Sequence, residues 1–124
     1  MSIIYLNGEF LDRARAAIPL DDRGFLFGDG VYEVCRVIQG RIFRLEDHLR
    51  RLQRGLRELE IDAGDQLDGR SVERIFLRLI EANALHEGEA TVYLQVTRGA
   101  APRTHGFPPP GTPPTIYATA APFQ

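Results

Sequence analysis

Two stretches of the chain carry polar side chains whose types and spacing are typical of a functional site. Arg103 and His105 stand two positions apart, and an arginine and an imidazole that converge on one anion make a carboxylate trap. Residues 22–33 combine two aspartates, an arginine and a glutamate with three glycines, which permit sharp bends and close backbone approaches. The alternative for Arg103 and His105 is an ordinary pair of exposed polar groups in a loop, and the alternative for residues 22–33 is a structural role.

Lysine is missing from the sequence, because all 15 residues counted as Lys or Arg are arginine. A lysine Schiff base with a carbonyl compound therefore cannot form within this chain. Cys35 is the single cysteine, which excludes an internal disulfide, and no histidine lies near it in sequence to activate it. The histidines and carboxylates do not have the spacing of metal ligands, so we expect no metal site.

Length and composition indicate one ordinary globular domain. The chain has 124 residues, of which 44% are hydrophobic and 26% charged, values typical of a folded domain. A net charge of -2 gives no electrostatic reason to expect nucleic acid or an anionic membrane as a partner. The sequence shows no apolar run of about 18 residues and no secretory signal pattern. We expect a cytoplasmic protein.

The local patterns predict an α+β fold with a mostly antiparallel sheet and two helices packed on it. Leucines spaced by three and four residues from Leu45 to Leu59 predict one amphipathic helix, and a second is predicted from a Ser71 cap to about Leu85. Predicted strands cover residues 3–6, 9–11, 31–38, 41–43, 91–98 and 115–120. The proline-rich residues 106–114 are predicted to form a loop.

The strand predicted at 31–38 separates its side chains between two faces. Alternation places Tyr32 on one face and Glu33 with Cys35 on the other. A buried Glu33 carboxylate would need a partner, and Arg23 or Arg36 is expected to provide it. Asp22, Arg23 and Asp29 are expected to hold the glycine segment together. His48 is expected to be a surface or core histidine with no role in a site.

Several stretches together resemble one enzyme family. Residues 22–24 and 27–33, with His48–Leu52 and Gln95–Gly99, resemble the N-terminal domain of fold-type IV pyridoxal-phosphate aminotransferases and occur in the family's order. The triplet Arg103-Thr104-His105 resembles the branch that acts on D-amino acids, that of the D-alanine aminotransferases. The resemblance covers essentially the whole chain.

The resemblance implies specific roles for four residues. Arg51 would bind the phosphate of pyridoxal phosphate, and a planar guanidinium suits that ligand. Tyr32, Arg103 and His105 would bind the carboxylate of a small-molecule substrate, with Arg103 and His105 reaching across the interface of a homodimer. Arg51 also fits an ordinary solvated helix arginine, and Tyr32 a core aromatic residue.

The resemblance also implies that residues 1–124 are the N-terminal domain of a longer enzyme. Its lysine and most of its cofactor contacts would belong to a C-terminal domain absent from this sequence. The chain alone is then expected to be inactive and not to retain the cofactor. Two alternatives stay open. One is a branched-chain aminotransferase or aminodeoxychorismate lyase of the same fold, and the other is a non-catalytic interaction domain.

Overall fold

The computed structural model describes residues 2–124 as a single six-stranded sheet covered on one face by helices. The strands are β1 (Ile3–Leu6), β2 (Glu9–Asp12), β3 (Gly30–Ile38), β4 (Arg41–Ile42), β5 (Glu89–Thr97) and β6 (Thr115–Pro122). The helices are α1 (Arg23–Phe27), α2 (Leu45–Leu59) and α3 (Gly69–Ala82), with short 3-10 turns at Arg13–Arg15 and Gly64–Leu67. The predicted α+β fold with two packed helices is confirmed.

The strand order is β2-β1-β6-β5-β3-β4, and every strand pairing is antiparallel. Strand β3 pairs along its whole length with β5, whereas the short strand β4 pairs only with Val37 and Ile38. The outer edge of β3 between residues 30 and 36 therefore has no strand partner within residues 2–124. Helix α2 packs on β3.

The core lies between the sheet and the apolar stripes of α2 and α3. Leu52 and Leu56 of α2 and Phe76 and Leu79 of α3 are each at most 5% exposed, as the leucine period predicts. They pack with the inward side chains of the central strands, which are Cys35, Val37, Val92, Leu94, Val96, Ile116 and Ala118. Within residues 2–124, no helix combines the length and apolar composition that a membrane crossing requires.

Two details of the predicted elements are wrong. The cap of α3 is Asp68 rather than Ser71, because the Asp68 carboxylate accepts a hydrogen bond from the Ser71 backbone N–H at 2.8 Å. Aspartate is as good a cap as serine, so sequence alone does not choose between them. Residues 23–27 form a one-turn helix that sequence analysis did not predict, since glycine at position 24 disfavours a helix interior.

Candidate active site

The glycine-rich segment is fixed by its acidic residues at both ends. Asp22 is 1% exposed and caps α1 by accepting from the Gly24 N–H at 2.9 Å, while its second oxygen accepts from the Thr115 hydroxyl. Gly28 ends α1 with a left-handed φ of 64°, which glycine adopts without strain. Arg23 pairs with Asp29 at 2.9 Å. The expectation that Asp22, Arg23 and Asp29 hold this segment is confirmed.

Glycine at position 30 lets this segment enter β3. A Cβ atom at Gly30 would lie 2.5 Å from the Val96 carbonyl oxygen, and that oxygen belongs to the backbone of the neighbouring strand. No other residue fits there without a shift of the sheet. The segment therefore delivers Tyr32 and Glu33 to the start of the strand at a fixed register, with Tyr32 opposite Gln95.

Glu33 is the centre of a three-residue polar cluster on the helix side of β3. Its side chain is 5% exposed. One carboxylate oxygen accepts from Arg51 Nε at 2.7 Å, and the other contacts His48 Nδ1 at 2.7 Å and accepts from Arg51 Nη2 at 3.1 Å. The expected partners Arg23 and Arg36 are wrong, because Arg23 pairs with Asp29 and Arg36 with Glu89. Arg36 points to the opposite face of β3, as strand alternation requires.

His48 belongs to this cluster although sequence analysis gave it no role in a site. His48 and Arg51 lie three positions apart on α2, and residues at that spacing face the same way on a helix. The spacing was a signal available in the sequence. Which residues His48 and Arg51 contact depends on how α2 packs on the sheet. Gly55 allows α2 to approach β3 closely, because a Cβ at Gly55 would lie 2.9 Å from Val31 Cγ1.

Arg51 is held in place and still faces solvent. The hydrogen bonds from Arg51 to Glu33, and the charge of Glu33, raise the pKa of Arg51, and nearby Tyr32 acts in the same direction. Two of the five guanidinium N–H groups are donated to Glu33, so three remain for another acceptor. The Arg51 side chain is 70% exposed. A buried carboxylate thus orients a guanidinium whose free edge suits an anion such as a phosphate.

Tyr32 lies on the other face of the sheet, as predicted by strand alternation, and is 59% exposed. Its ring stacks on Tyr93 of β5 with centroids 5.7 Å apart, and Tyr93 contacts Tyr117 of β6 at 5.8 Å. Burial and the neighbouring Tyr117 hydroxyl raise the pKa of Tyr93 to about 12, and both hydroxyls donate to the Gln95 side-chain oxygen. The sheet therefore presents a row of aromatic rings beside the Tyr32 hydroxyl.

Arg103 and His105 lie together on one aromatic ring. The Arg103 guanidinium carbon is 5.6 Å from the centroid of the Phe27 ring, and the His105 ring centroid is 5.9 Å from it. Both residues are exposed. A cation over an aromatic face is attracted to it, so Phe27 is a shared neighbour of two exposed side chains that could bind an anion.

The four predicted site residues thus form two groups in this structure. Tyr32 and Arg51 both lie at β3 but on opposite faces of the sheet, and Arg103 and His105 both lie near the Phe27 ring. The recorded side-chain contacts of residues 2–124 do not join one group to the other. An anion at the edge of β3 and an anion at Phe27 would therefore be bound by different parts of the chain.

Comparison with known proteins identifies the family. The model of the amino-transferase class IV family matches residues 30–124. The chain belongs to the class IV aminotransferase family. The match begins at the first residue of β3 and includes the Glu33 cluster and the Arg103–His105 loop.

Individual relatives agree with this family. The chain is 36% identical to the D-alanine aminotransferase of Staphylococcus haemolyticus over 124 residues, which is 100% of this chain and 43% of that enzyme. The chain thus spans less than half the length of this relative.

Two solved structures share the fold. The 4-amino-4-deoxychorismate lyase of Pseudomonas aeruginosa is 33% identical, with a TM-score of 0.70 over 96% of this chain and 39% of the lyase. A hypothetical aminotransferase of Mycobacterium tuberculosis in its PLP-bound form is 25% identical, with a TM-score of 0.77 over 98% of this chain and 39% of that protein.

Proposed function

We propose that this chain is the N-terminal domain of a longer enzyme that transfers the amino group of D-amino acids to 2-oxo acids with pyridoxal phosphate. The observation that carries the proposal is that Arg103 and His105, two positions apart, both lie near the Phe27 ring. Both residues are exposed, and a guanidinium with an imidazole can donate hydrogen bonds to the carboxylate of an amino acid. The likeness to a D-alanine aminotransferase over the whole chain supports the same substrate class.

Arg51 is the residue that we assign to the cofactor phosphate. Arg51 suits this ligand because it keeps N–H donors for a phosphate. Glu33 accepts hydrogen bonds from two N–H groups of the guanidinium and leaves the others free. Pyridoxal phosphate, when bound, supplies the electron sink for the amino-group transfer. The contribution of this chain is to bind the phosphate at Arg51 and to orient that arginine through Glu33. The PLP-bound form of the M. tuberculosis relative supports the choice of cofactor.

Tyr32 is assigned to the substrate rather than to the cofactor. Its ring is exposed and lies on the sheet face opposite the Glu33 cluster. A phenol there donates one hydrogen bond to a carboxylate without adding charge. Because Arg103 and His105 do not meet Tyr32 within one chain, we propose that they act in the site of a second copy in a homodimer.

Three variants of the longer enzyme separate these roles. Arg103→Ala and His105→Ala should each lower kcat/KM for D-alanine about tenfold or more, since each removes a charge-assisted hydrogen bond worth about 1.5–3 kcal/mol. Arg51→Ala should first weaken retention of pyridoxal phosphate, measured by equilibrium dialysis. Arg50→Ala on the outer face of α2 is the matched control. Unchanged D-alanine turnover in Arg103→Ala would exclude the carboxylate role.

The chain of 124 residues by itself should neither catalyse transamination nor hold the cofactor covalently. Its sequence contains no lysine to bond with pyridoxal phosphate. After the chain is mixed with the cofactor and dialysed, we expect its absorbance spectrum to be that of the protein without cofactor. A visible absorbance band that survives dialysis would contradict this expectation.

A lyase of the same fold is the second candidate function. The observation that favours it is the 33% identity with the P. aeruginosa 4-amino-4-deoxychorismate lyase. The two functions differ in product, so the longer enzyme should be assayed with D-alanine and with 4-amino-4-deoxychorismate in parallel. Consumption of 4-amino-4-deoxychorismate without transamination of D-alanine would favour the lyase.

A further inference from the structure

Arg23 is a buried arginine that reaches the loop carrying Arg103 and His105. The residue is 3% exposed. Its Nη1 atom donates to the Thr104 carbonyl oxygen at 3.0 Å and to the Gly106 carbonyl oxygen at 3.3 Å. These carbonyls belong to the residues on either side of His105. One guanidinium nitrogen therefore fixes the backbone around this histidine.

The other side of the Arg23 guanidinium is anchored in the fold. Its Nε donates to the Asp29 carboxylate at 2.9 Å, and the same carboxylate oxygen accepts from Arg98 Nε at 2.7 Å. Burial alone would raise the pKa of Asp29, but the hydrogen bonds and charges of Arg98 and Arg23 outweigh this effect and lower it. Asp29 is therefore a fixed anion, and it orients the Arg23 guanidinium through a contact that does not involve the loop.

The same guanidinium also contacts the aromatic ring that supports the anion-binding pair. The Arg23 guanidinium carbon is 4.6 Å from the centroid of the Phe27 ring, and Arg103 and His105 both lie on that ring. Arg23 thus touches both the backbone and the aromatic support of the pair.

Another contact between the loop and the fold is made by an aromatic ring, because the Arg98 guanidinium carbon lies 4.4 Å from the centroid of the Phe107 ring. Residues 102–107 are all exposed, and within residues 2–124 the structure records no backbone–backbone hydrogen bond made by them. The Thr104 hydroxyl donates to the Gly106 carbonyl at 3.2 Å, a contact inside the loop itself. A buried ion pair is a weak source of net stability, whereas two bonds to neighbouring carbonyls restrict the loop directly.

We propose that Arg23 is a positioning residue that sets the spacing and direction of Arg103 and His105. This inference rests on the proposed function, in which those two side chains bind the substrate carboxylate. Arg23 contacts neither substrate nor cofactor. It acts through the loop backbone and through Phe27, and a lysine cannot replace it because an ammonium lacks the planar fork that reaches Asp29 and the loop together.

The first test reads the loop alone and does not depend on catalysis. Trypsin cleaves after Arg103, so the rate of that cut, followed by mass spectrometry on native protein, reports how firmly the loop is held. Arg23→Lys, which keeps the charge beside Asp29, should raise this rate about tenfold through loss of the charge-assisted bonds. Leu85→Ala, a core change outside the loop, controls for general destabilisation. A wild-type cleavage rate in folded Arg23→Lys would overturn the inference.

A second variant keeps the test decisive if Arg23→Lys fails to fold. Phe27→Leu leaves Arg23 and Asp29 intact and removes the ring on which Arg103 and His105 rest, so it should also speed the cut after Arg103. If Phe27→Leu folds and leaves that rate unchanged, the ring does not support the pair and the inference is overturned.

The second test uses the longer enzyme and separates positioning from a structural role. Arg23→Lys should raise KM for a D-amino acid about tenfold and leave kcat within about twofold, because misplaced carboxylate ligands weaken ground and transition states alike. Retention of pyridoxal phosphate should stay at the wild-type level. An unchanged KM with a released loop would overturn the inference. If the wild-type enzyme does not use D-amino acids, the proposed function fails, and the trypsin test still decides the role of Arg23.

Discussion

The burial and contacts of a single residue in this domain depend both on its position in a strand and on residues that are distant in sequence. Tyr32 and Glu33 are adjacent, yet one lies on an exposed aromatic face and the other in a buried polar cluster. Strand alternation alone predicted this division. The partners of Glu33 could not be predicted in the same way, because they come from a helix 15 and 18 positions further along the chain.

Cys35 offers a prediction at this scale. Burial raises the pKa of its thiol to about 12, the negative charge of Glu33 adds to the shift, and Arg51 opposes it only in part. The thiolate is the reactive form, so at pH 7 the native chain should not react with Ellman's reagent, and the thiol should appear only on unfolding in denaturant. Stoichiometric labelling of the folded protein within minutes would contradict this prediction.

At the scale of elements, periodicity predicted the two long helices and the main strands, because each buries one face. Their approach to one another depends on glycines whose roles the sequence did not reveal. The sequence shows that positions 30, 55 and 99 are glycine. Which backbone or side chain each one faces is a property of the tertiary fold, so the patterns gave the elements and not the contacts that align them.

Gly99 provides the sharpest prediction for these contacts. It has a φ of 100°, and a Cβ atom there would lie 2.0 Å from the Pro113 carbonyl oxygen. Gly99→Ala should therefore lower the free energy of unfolding by at least about 2 kcal/mol, from strain and overpacking combined. Gly106→Ala, where a Cβ would have nothing within 4 Å, is the matched control. Equal urea midpoints for the two variants would contradict the prediction.

At the scale of the whole molecule, one carboxylate joins distant parts of the chain. Asp29 pairs with Arg23, which holds the Arg103–His105 loop, and with Arg98, which donates to the Leu59 carbonyl at 2.7 Å at the end of α2. The α+β fold could be predicted from sequence. This network could not, because its bonded members are separated by as many as 83 positions and no periodic pattern relates them.

The Asp29 network predicts the response of the domain to acid. Asp29 has a lowered pKa in the folded state, so its contribution to stability is complete above the ordinary value of 3.8 and is lost as the pH falls through the folded-state pKa. Asp29→Asn should be less stable than wild type at pH 7, and the difference should shrink below pH 3.8. Urea unfolding at both pH values measures this, with the exposed Asp21→Asn as control. A pH-independent difference would contradict the prediction.

The sharing of Asp29 between two arginines also bears on how such a domain can diversify. Arg103 and His105, the groups that would face a ligand, lie on an exposed loop. Arg23 holds this loop by hydrogen bonds to its backbone carbonyl oxygens rather than to its side chains. Carbonyl oxygens are the same in every residue. Selection can therefore exchange the two side chains, and with them the anion that is recognised, while Asp29 and its arginines keep the frame unchanged.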